Sequence, residues 1–185
     1  MSIASAPFDD RLMFATRMRD TAFKRSLTKV SLGTDVKIDS PVGSFTLHKN
    51  PAKPAVFLAG GIGITPFVSI VRQADHDRLP HKLHLFYSNR RPEDAAFLRD
   101  LEILSQLNGN CAFIPSMSEM DKSKLDWQGE RGFINREMLL RHMDGLKGPI
   151  YYVAGPPAMV AAMREMLTNA GVEEDDIRTE EFGGY

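Results

Sequence analysis

The chain has 185 residues, 43% of them hydrophobic and 25% charged, with a formal net charge of -1. That composition describes a globular protein with room for one ordinary domain and a smaller piece. It offers no basic excess for nucleic acid or a membrane surface. A single cysteine, Cys111, excludes an intrachain disulfide and leaves too few thiolates for an iron–sulfur cluster or a cysteine-only zinc site.

Residues 1–50 read as a small β-rich piece. RLMFATRM (11–18) and DVKID (35–39) have strand character, and GSFTL (43–47) follows the turn Pro41-Val42-Gly43. Segment 20–32 is short and mixed. These strands are too few to close a barrel.

From residue 51 to 185 the pattern alternates. AVFLA (55–59), LHLFY (83–87), CAFIP (111–115) and IYYVAG (150–155) are short apolar runs rich in β-branched or aromatic residues, and they predict strands. PFVSIVRQADHD (66–77) opens a helix on a proline. PEDAAFLRDLEILSQLNG (92–109) opens on Pro92 with acids behind it and closes at Asn108-Gly109. Asn135 predicts an N-cap for REMLLRHM (136–143), and PPAMVAAMREMLTNAG (156–171) ends at Gly171. DIRTEEF supplies a last short strand. The alternation predicts an α/β fold, a doubly wound parallel sheet of five to six strands with ligands at the carboxyl ends of the strands.

Three turns fall at those ends. In GGIGITPF (60–67), Gly60, Gly61 and Gly63 allow a sharp turn and close backbone approach, and the following helix start offers free N–H groups to an anion. An ordinary strand-to-helix turn that tolerates glycine is the alternative. VAGPPAM (153–159) leaves a second strand and starts a helix; taken alone, Gly-Pro-Pro favours a rigid turn over a ligand-facing one. YSNRR (87–91) places two guanidiniums where an adenosine ribose lies in a dinucleotide fold, or forms a solvated basic loop. Glu93 and Asp94 stand close enough to oppose a phosphate there.

EEDD (173–176) reads as a surface turn, whereas Glu180-Glu181 ends a strand beside Phe182. The five histidines show no metal spacing, so no metal site is expected. No G-x-S-x-G elbow is present, and Cys111 reads as a small buried hydrophobe.

Together and in this order, the motifs resemble the ferredoxin-NADP⁺ reductase superfamily of flavin oxidoreductases over nearly the whole chain. GGIGITP meets that family's Gly-Gly-x-Gly-x-Thr-Pro motif. AGPPAM meets its Cys-Gly-Pro-Pro motif with Ala154 in place of cysteine. WQGERGFI (127–134) resembles the stretch before the helix that follows the fourth strand, and EEFG resembles the family's carboxyl end.

The resemblance implies a flavin-binding β-barrel, only partly represented in 1–50, and an NAD(P)-binding domain in 51–185. It implies hydride transfer from NAD(P)H to FAD or FMN. The electrons then pass to an acceptor protein (ferredoxin, flavodoxin, an oxygenase or a haem protein) or to a small acceptor. The nicotinamide side falls to Gly60, Gly61, Gly63, Ile64, Thr65 and Pro66, with Ser88, Asn89 and Arg90 toward the ribose and Gly155, Pro156, Pro157 and Met159 opposite. The flavin side falls to Ser2, Ile3 and Ala4, to Lys24, Arg25 and Ser26 within DTAFKRSL (20–27), and to Phe182. SPVGSF (40–45) resembles the barrel's final turn and strand. Ser2 and Glu180 take the catalytic positions.

The family's Arg-x-Tyr-Ser flavin motif is met by MSIASAP only from the serine onward. A flavin diphosphate without the missing guanidinium loses about 1.5–3 kcal/mol. The expectation is a truncated reductase that binds NAD(P) and binds flavin weakly or not at all, with open strand edges that invite dimerisation. The alternative is a stand-alone nucleotide-binding or electron-relay subunit that completes its flavin site with another polypeptide. No apolar run approaches the roughly 20 residues of a membrane span. No signal-peptide pattern opens the chain, so a cytoplasmic location is expected.

Overall fold

A computed structural model describes residues 2–39, 43 and 45–183. Six parallel strands form one sheet: β3 (Ala55–Gly60), β4 (Leu83–Asn89), β5 (Cys111–Met117), β6 (Glu130–Arg131), β7 (Ile150–Gly155) and β8 (Ile177–Glu181). Their order across the sheet is β6-β5-β4-β3-β7-β8. Helices α2 (Thr65–His76), α3 (Leu98–Leu107), α4 (Arg136–His142) and α5 (Pro157–Asn169) join them. The doubly wound sheet expected from the alternation is therefore the architecture observed.

The central strands β3 and β7 are apolar throughout because both faces are covered. Along β3, Ala55, Phe57 and Ala59 enter a core with Phe67 and Val71 of α2 and Leu101 of α3. Val56 and Leu58 face the other way, onto Met138 and Leu139 of α4 and Val160 and Leu167 of α5. All six residues of β3 and of β7 are buried. The helix starts follow local chemistry. Pro66 lies in the first turn of α2, and the Asn135 side chain accepts from the Met138 N–H at 2.8 Å to cap α4. Gly171 has φ +78 beyond α5, a conformation that favours glycine.

Several expectations are corrected. The predicted helix over 92–109 is broken: a single 3₁₀ turn spans Pro92–Asp94, Phe97 takes a left-handed φ of 60, and α3 starts only at Leu98. In the amino-terminal piece, 11–18 narrows to β2 (Phe14–Ala15), which pairs antiparallel with β1 (Ser2–Ile3). Residues 35–39, and 43 and 45–47, form no strand, and among the described residues no strand pairs with them. Pro41 and Val42 of the predicted turn, with Ser40 and Ser44 of SPVGSF, lie outside the described residues. Segment 20–32 contains α1 (Ala22–Leu27), whose N-cap Thr21 accepts from the Lys24 N–H at 3.3 Å.

The amino-terminal segment is fastened to α2. Arg72 grips Asp9 through two contacts of 2.6 and 2.9 Å, and Ser69 Oγ donates to the Ser5 carbonyl at 2.7 Å. The Phe8 N–H donates to Gln73 Oε1 at 3.0 Å while its ring stacks on His76 at 4.2 Å. Residues 45–48 are tied to the sheet. The Tyr152 hydroxyl lies 3.0 Å from His48 Nδ1, accepts from the His48 N–H at 2.8 Å and accepts from Arg178 at 3.1 Å. His48 Nε2 faces the Lys53 carbonyl at 2.9 Å, which requires that nitrogen to carry the proton, so Nδ1 accepts from Tyr152. His81 is buried, and its Nε2 reaches the His48 carbonyl at 3.0 Å.

Candidate functional site

The sheet reverses its winding between β3 and β7, and the crevice at such a switch point is where open α/β sheets bind ligands. The two strands run in register, Ala59 beside Ala154, so both turn away at the same level, one at Gly60 and the other at Gly155. The turns pack directly on each other. A Cβ at Gly63 would lie 2.3 Å from the Ala154 carbonyl oxygen. One at Gly60 would lie 2.3 Å from Met159 Sδ, and one at Gly155 would lie 3.2 Å from the Gly60 backbone. Gly60 and Gly63 thus serve close contact between two protein turns, whereas Gly61, at φ 52, serves the turn's conformation.

Above these turns opens a cavity of about 690 Å³. Of the residues named from sequence, Gly60, Gly61, Ser88, Asn89, Arg90, Pro156 and Met159 line it together. Gly63, Ile64, Thr65, Gly155 and Pro157 shape the turns but stand off the wall. Thr65 is buried, its hydroxyl donating to the Ile62 carbonyl at 3.0 Å. Ala154 is also fully buried and off the wall. Asn89 is 8% exposed and its Nδ2 has no hydrogen-bond partner, so the wall carries an unused donor. Positive charge comes from Arg90 and from two residues that the sequence did not single out, Arg17 and Arg19. Phe133, 74% exposed, and the α5 stripe of Ala158, Ala162 and Met163 give the cavity an apolar side. The spacing of that stripe, one face of a helix, was the signal available for it.

The residues assigned to the flavin side are dispersed. Ala4 is fully buried. Ile3 and Pro66 line a second, smaller cavity of about 480 Å³ between the amino-terminal segment and α2. Lys24 Nζ bonds the Arg17 carbonyl and Arg25 pairs with Asp20, so both cations are engaged within the chain. Phe182 packs against the α2-side core, its N–H donating to the Gly155 carbonyl at 2.9 Å. Burial pushes the Glu180 carboxyl above its usual range. No hydrogen bond joins Glu180 to Ser2, and neither they nor Ser26 line the large cavity. A dinucleotide fits the first cavity: an unpaired donor, guanidiniums and an apolar side answer its polar, anionic and aromatic parts. A flavin does not find its set of residues assembled among those described.

Elsewhere, Cys111 is buried and its thiol is pushed up to about 12, an unreactive state. The 173–176 run forms the expected turn, with Asp176 held by Lys53 at 2.8 Å. Among the described residues, no group of three or more His, Cys, Asp or Glu is placed to hold a metal. No described helix is long and apolar enough to cross a membrane.

A doubly wound sheet with a cavity over its central switch point is the arrangement of a nucleotide-binding α/β protein. The family described as oxidoreductase NAD-binding domain matches residues 57–165. The chain belongs to that family, within the ferredoxin-NADP⁺ reductase superfamily. Among curated proteins, it is 28% identical to a component polypeptide of the Na⁺-translocating NADH-quinone reductase of Idiomarina loihiensis, over 98% of this chain and 44% of that protein. It is 28% identical to the reductase component of propane 2-monooxygenase from Rhodococcus jostii, over 83% of this chain and 42% of that one. The chain thus spans somewhat under half the length of these relatives. Among solved structures, a ferredoxin NADP⁺ reductase from Neisseria gonorrhoeae with bound FAD and NADP superimposes with a TM-score of 0.78. It shares 23% identity, over 97% of this chain and 78% of that one.

Proposed function

We propose that this chain binds NAD(P)H in the large cavity and works as the nucleotide-holding part of a flavin-dependent oxidoreductase. Its electrons go on to an acceptor protein or a small acceptor. The observation that carries the reading is the convergence of the β3 and β7 turns, the unpaired Asn89 donor and three guanidiniums on one cavity. When bound, the dinucleotide supplies a hydride at its nicotinamide ring. The chain's own residues bind and orient it. The backbone at Gly60 and Gly61 faces the anionic centre, Asn89 Nδ2 donates, Arg90 supplies countercharge, and Pro156 and Met159 close the opposite side.

The acceptor of that hydride, on this reading, is FAD or FMN, as suggested by the relative that binds FAD and NADP. Onward transfer to an oxygenase or a quinone is suggested by the names of the curated relatives. A second reading has its own support: the chain completes a flavin site with another polypeptide. Lys24 and Arg25 are engaged internally, and Ser2, Glu180 and Phe182 share no cavity with the nucleotide-facing residues.

Calorimetric titration with NADH and NADPH tests the first reading. Saturable binding of one nucleotide per chain is expected, weakened roughly tenfold by Asn89→Leu, which removes one hydrogen bond to a charged or polar group. Absence of saturable binding by either nucleotide overturns it. Gel filtration with added FAD tests the second reading; yellow colour retained at one flavin per chain, without a partner, refutes it.

A further inference from the structure

The nucleotide cavity has an imbalance of charge. Among the described residues on its wall, Arg17, Arg19 and Arg90 are cationic and Asp94 is the one carboxylate. Asp94 does not face the cavity as a free anion. It accepts from Arg91 Nε at 2.9 Å and Arg91 Nη2 at 3.1 Å, a bidentate pair that neutralises both groups. Glu93, the other acid of that loop, is engaged by Ser123 Oγ at 2.9 Å and the Lys124 N–H at 3.1 Å. A third acid, Glu119, lies near Arg90 and pairs with Lys122 at 2.8 Å. All three acids are therefore held by other partners, and three guanidiniums remain.

Two of those guanidiniums come from outside the sheet. Arg17 and Arg19 follow β2 in the amino-terminal segment, and their backbone is pinned by the helix behind them. Lys24 Nζ donates to the Arg17 carbonyl, and the Thr21 N–H donates to the Arg19 carbonyl at 2.9 Å. Residues 17 and 19 lie beyond the end of β2, and both line the cavity wall. They meet Arg90 at the end of β4, which in this fold is the ribose side of a dinucleotide rather than the Gly60–Gly61 turn that faces the pyrophosphate. Three cations clustered there exceed what a neutral ribose diol needs, but they suit a phosphomonoester, which carries about -1.5 to -2 at neutral pH.

We propose that Arg17 and Arg19 are specificity residues that, with Arg90, bind a phosphate on the adenosine ribose, so that the chain selects the 2′-phosphorylated dinucleotide over the bare one. This rests on the reading of the large cavity as a nucleotide site.

The test uses the whole purified chain and binding alone. Calorimetry with NADP⁺ and NAD⁺ is expected to show NADP⁺ at least about tenfold tighter, the worth of one charge-assisted contact. The preference should shrink between low and high salt. As a check that needs no variant, 2′,5′-ADP should outcompete 5′-ADP by a similar factor. Arg17→Ser with Arg19→Ser should lower NADP⁺ affinity about tenfold more than it lowers NAD⁺ affinity. Equal affinities in the unaltered chain, or tighter NAD⁺, overturn the selectivity while leaving the nucleotide site intact. An equal loss for both nucleotides in the double variant overturns the assignment to Arg17 and Arg19. No binding of either nucleotide overturns both this proposal and the site it rests on.

Discussion

A Cβ at Gly63 would fall on a backbone carbonyl, whereas one at Gly60 would chiefly meet the Met159 thioether. The two glycines therefore differ in tolerance. Met159 can swing aside at Gly60, but the Ala154 carbonyl belongs to the central sheet and cannot. Gly63→Ala is expected to cost about 1–3 kcal/mol in urea unfolding and Gly60→Ala less, with nucleotide affinity falling in both. Equal costs would show that the β7 turn yields as readily as a side chain. The Tyr152 hydroxyl is a second single-atom dependency, since it serves His48 twice and Arg178 once. Tyr152→Phe orphans a buried N–H and is expected to cost about 1–3 kcal/mol. The same region sets a pH dependence. Burial depresses the titration of His48 and of His84, so the native state resists protonating them. Below about pH 6.5 the unfolded chain takes up protons that the native chain refuses, and stability falls as pH drops. Above that pH both states are neutral at these residues and the contribution is flat. Unfolding midpoints from pH 8 to 5 check this; a midpoint that climbs on acidification contradicts it.

The strap between the amino-terminal segment and α2 is a property of elements. Asp9, Phe8 and Ser5 each find a partner within little more than one turn of α2, at Arg72, Gln73 and Ser69, and the Arg72 guanidinium also lies 5.2 Å from the Phe8 ring centroid. Arg72→Gln should release the segment without unfolding the sheet, so trypsin is expected to cut after Arg11 and Arg17 faster while the thermal midpoint moves little. Unchanged cleavage would mean that the remaining two bonds suffice.

Elements also show what the sequence carried and what it did not. IYYVAG announced β7 residue for residue because a strand covered on both faces must be continuously apolar. DVKID alternates as a strand should, yet alternation records a half-buried face, not the presence of a partner. Glu130 and Arg131 extend the sheet with two charged residues and no local signal at all. The break at Phe97 was hidden because a bulky residue seldom adopts a left-handed φ. In the site, the turns were legible as glycine and proline punctuation at strand ends. Arg17 and Arg19 were not, because only tertiary folding carries them from the first twenty residues to the end of β4.

At the scale of the molecule, the cavity draws on the amino-terminal segment, β3, β4, the loop before α4, and α5. A ligand that joins so many elements should stabilise the whole fold. At a hundredfold excess over its dissociation constant, the preferred nucleotide is expected to add about 2.7 kcal/mol to unfolding, read as a raised melting midpoint. A nucleotide shown by calorimetry to bind, yet leaving the midpoint unmoved, would mean that it binds the unfolded chain as well.

The order of the strands also imposes a timetable. Ala55 pairs on one side with Leu83, a near neighbour in sequence, and on the other with Ile150. As the chain is synthesised, β3 gains its first flank early and then waits, apolar on both faces and with one edge bare, until most of the remaining polypeptide has emerged. Only when the Gly155 turn arrives does the second wall exist against which Gly60 and Gly63 fit. The capacity to hold a ligand is thus among the last things the nascent molecule acquires, and the interval before it is when the central strand stands most exposed to association with other chains.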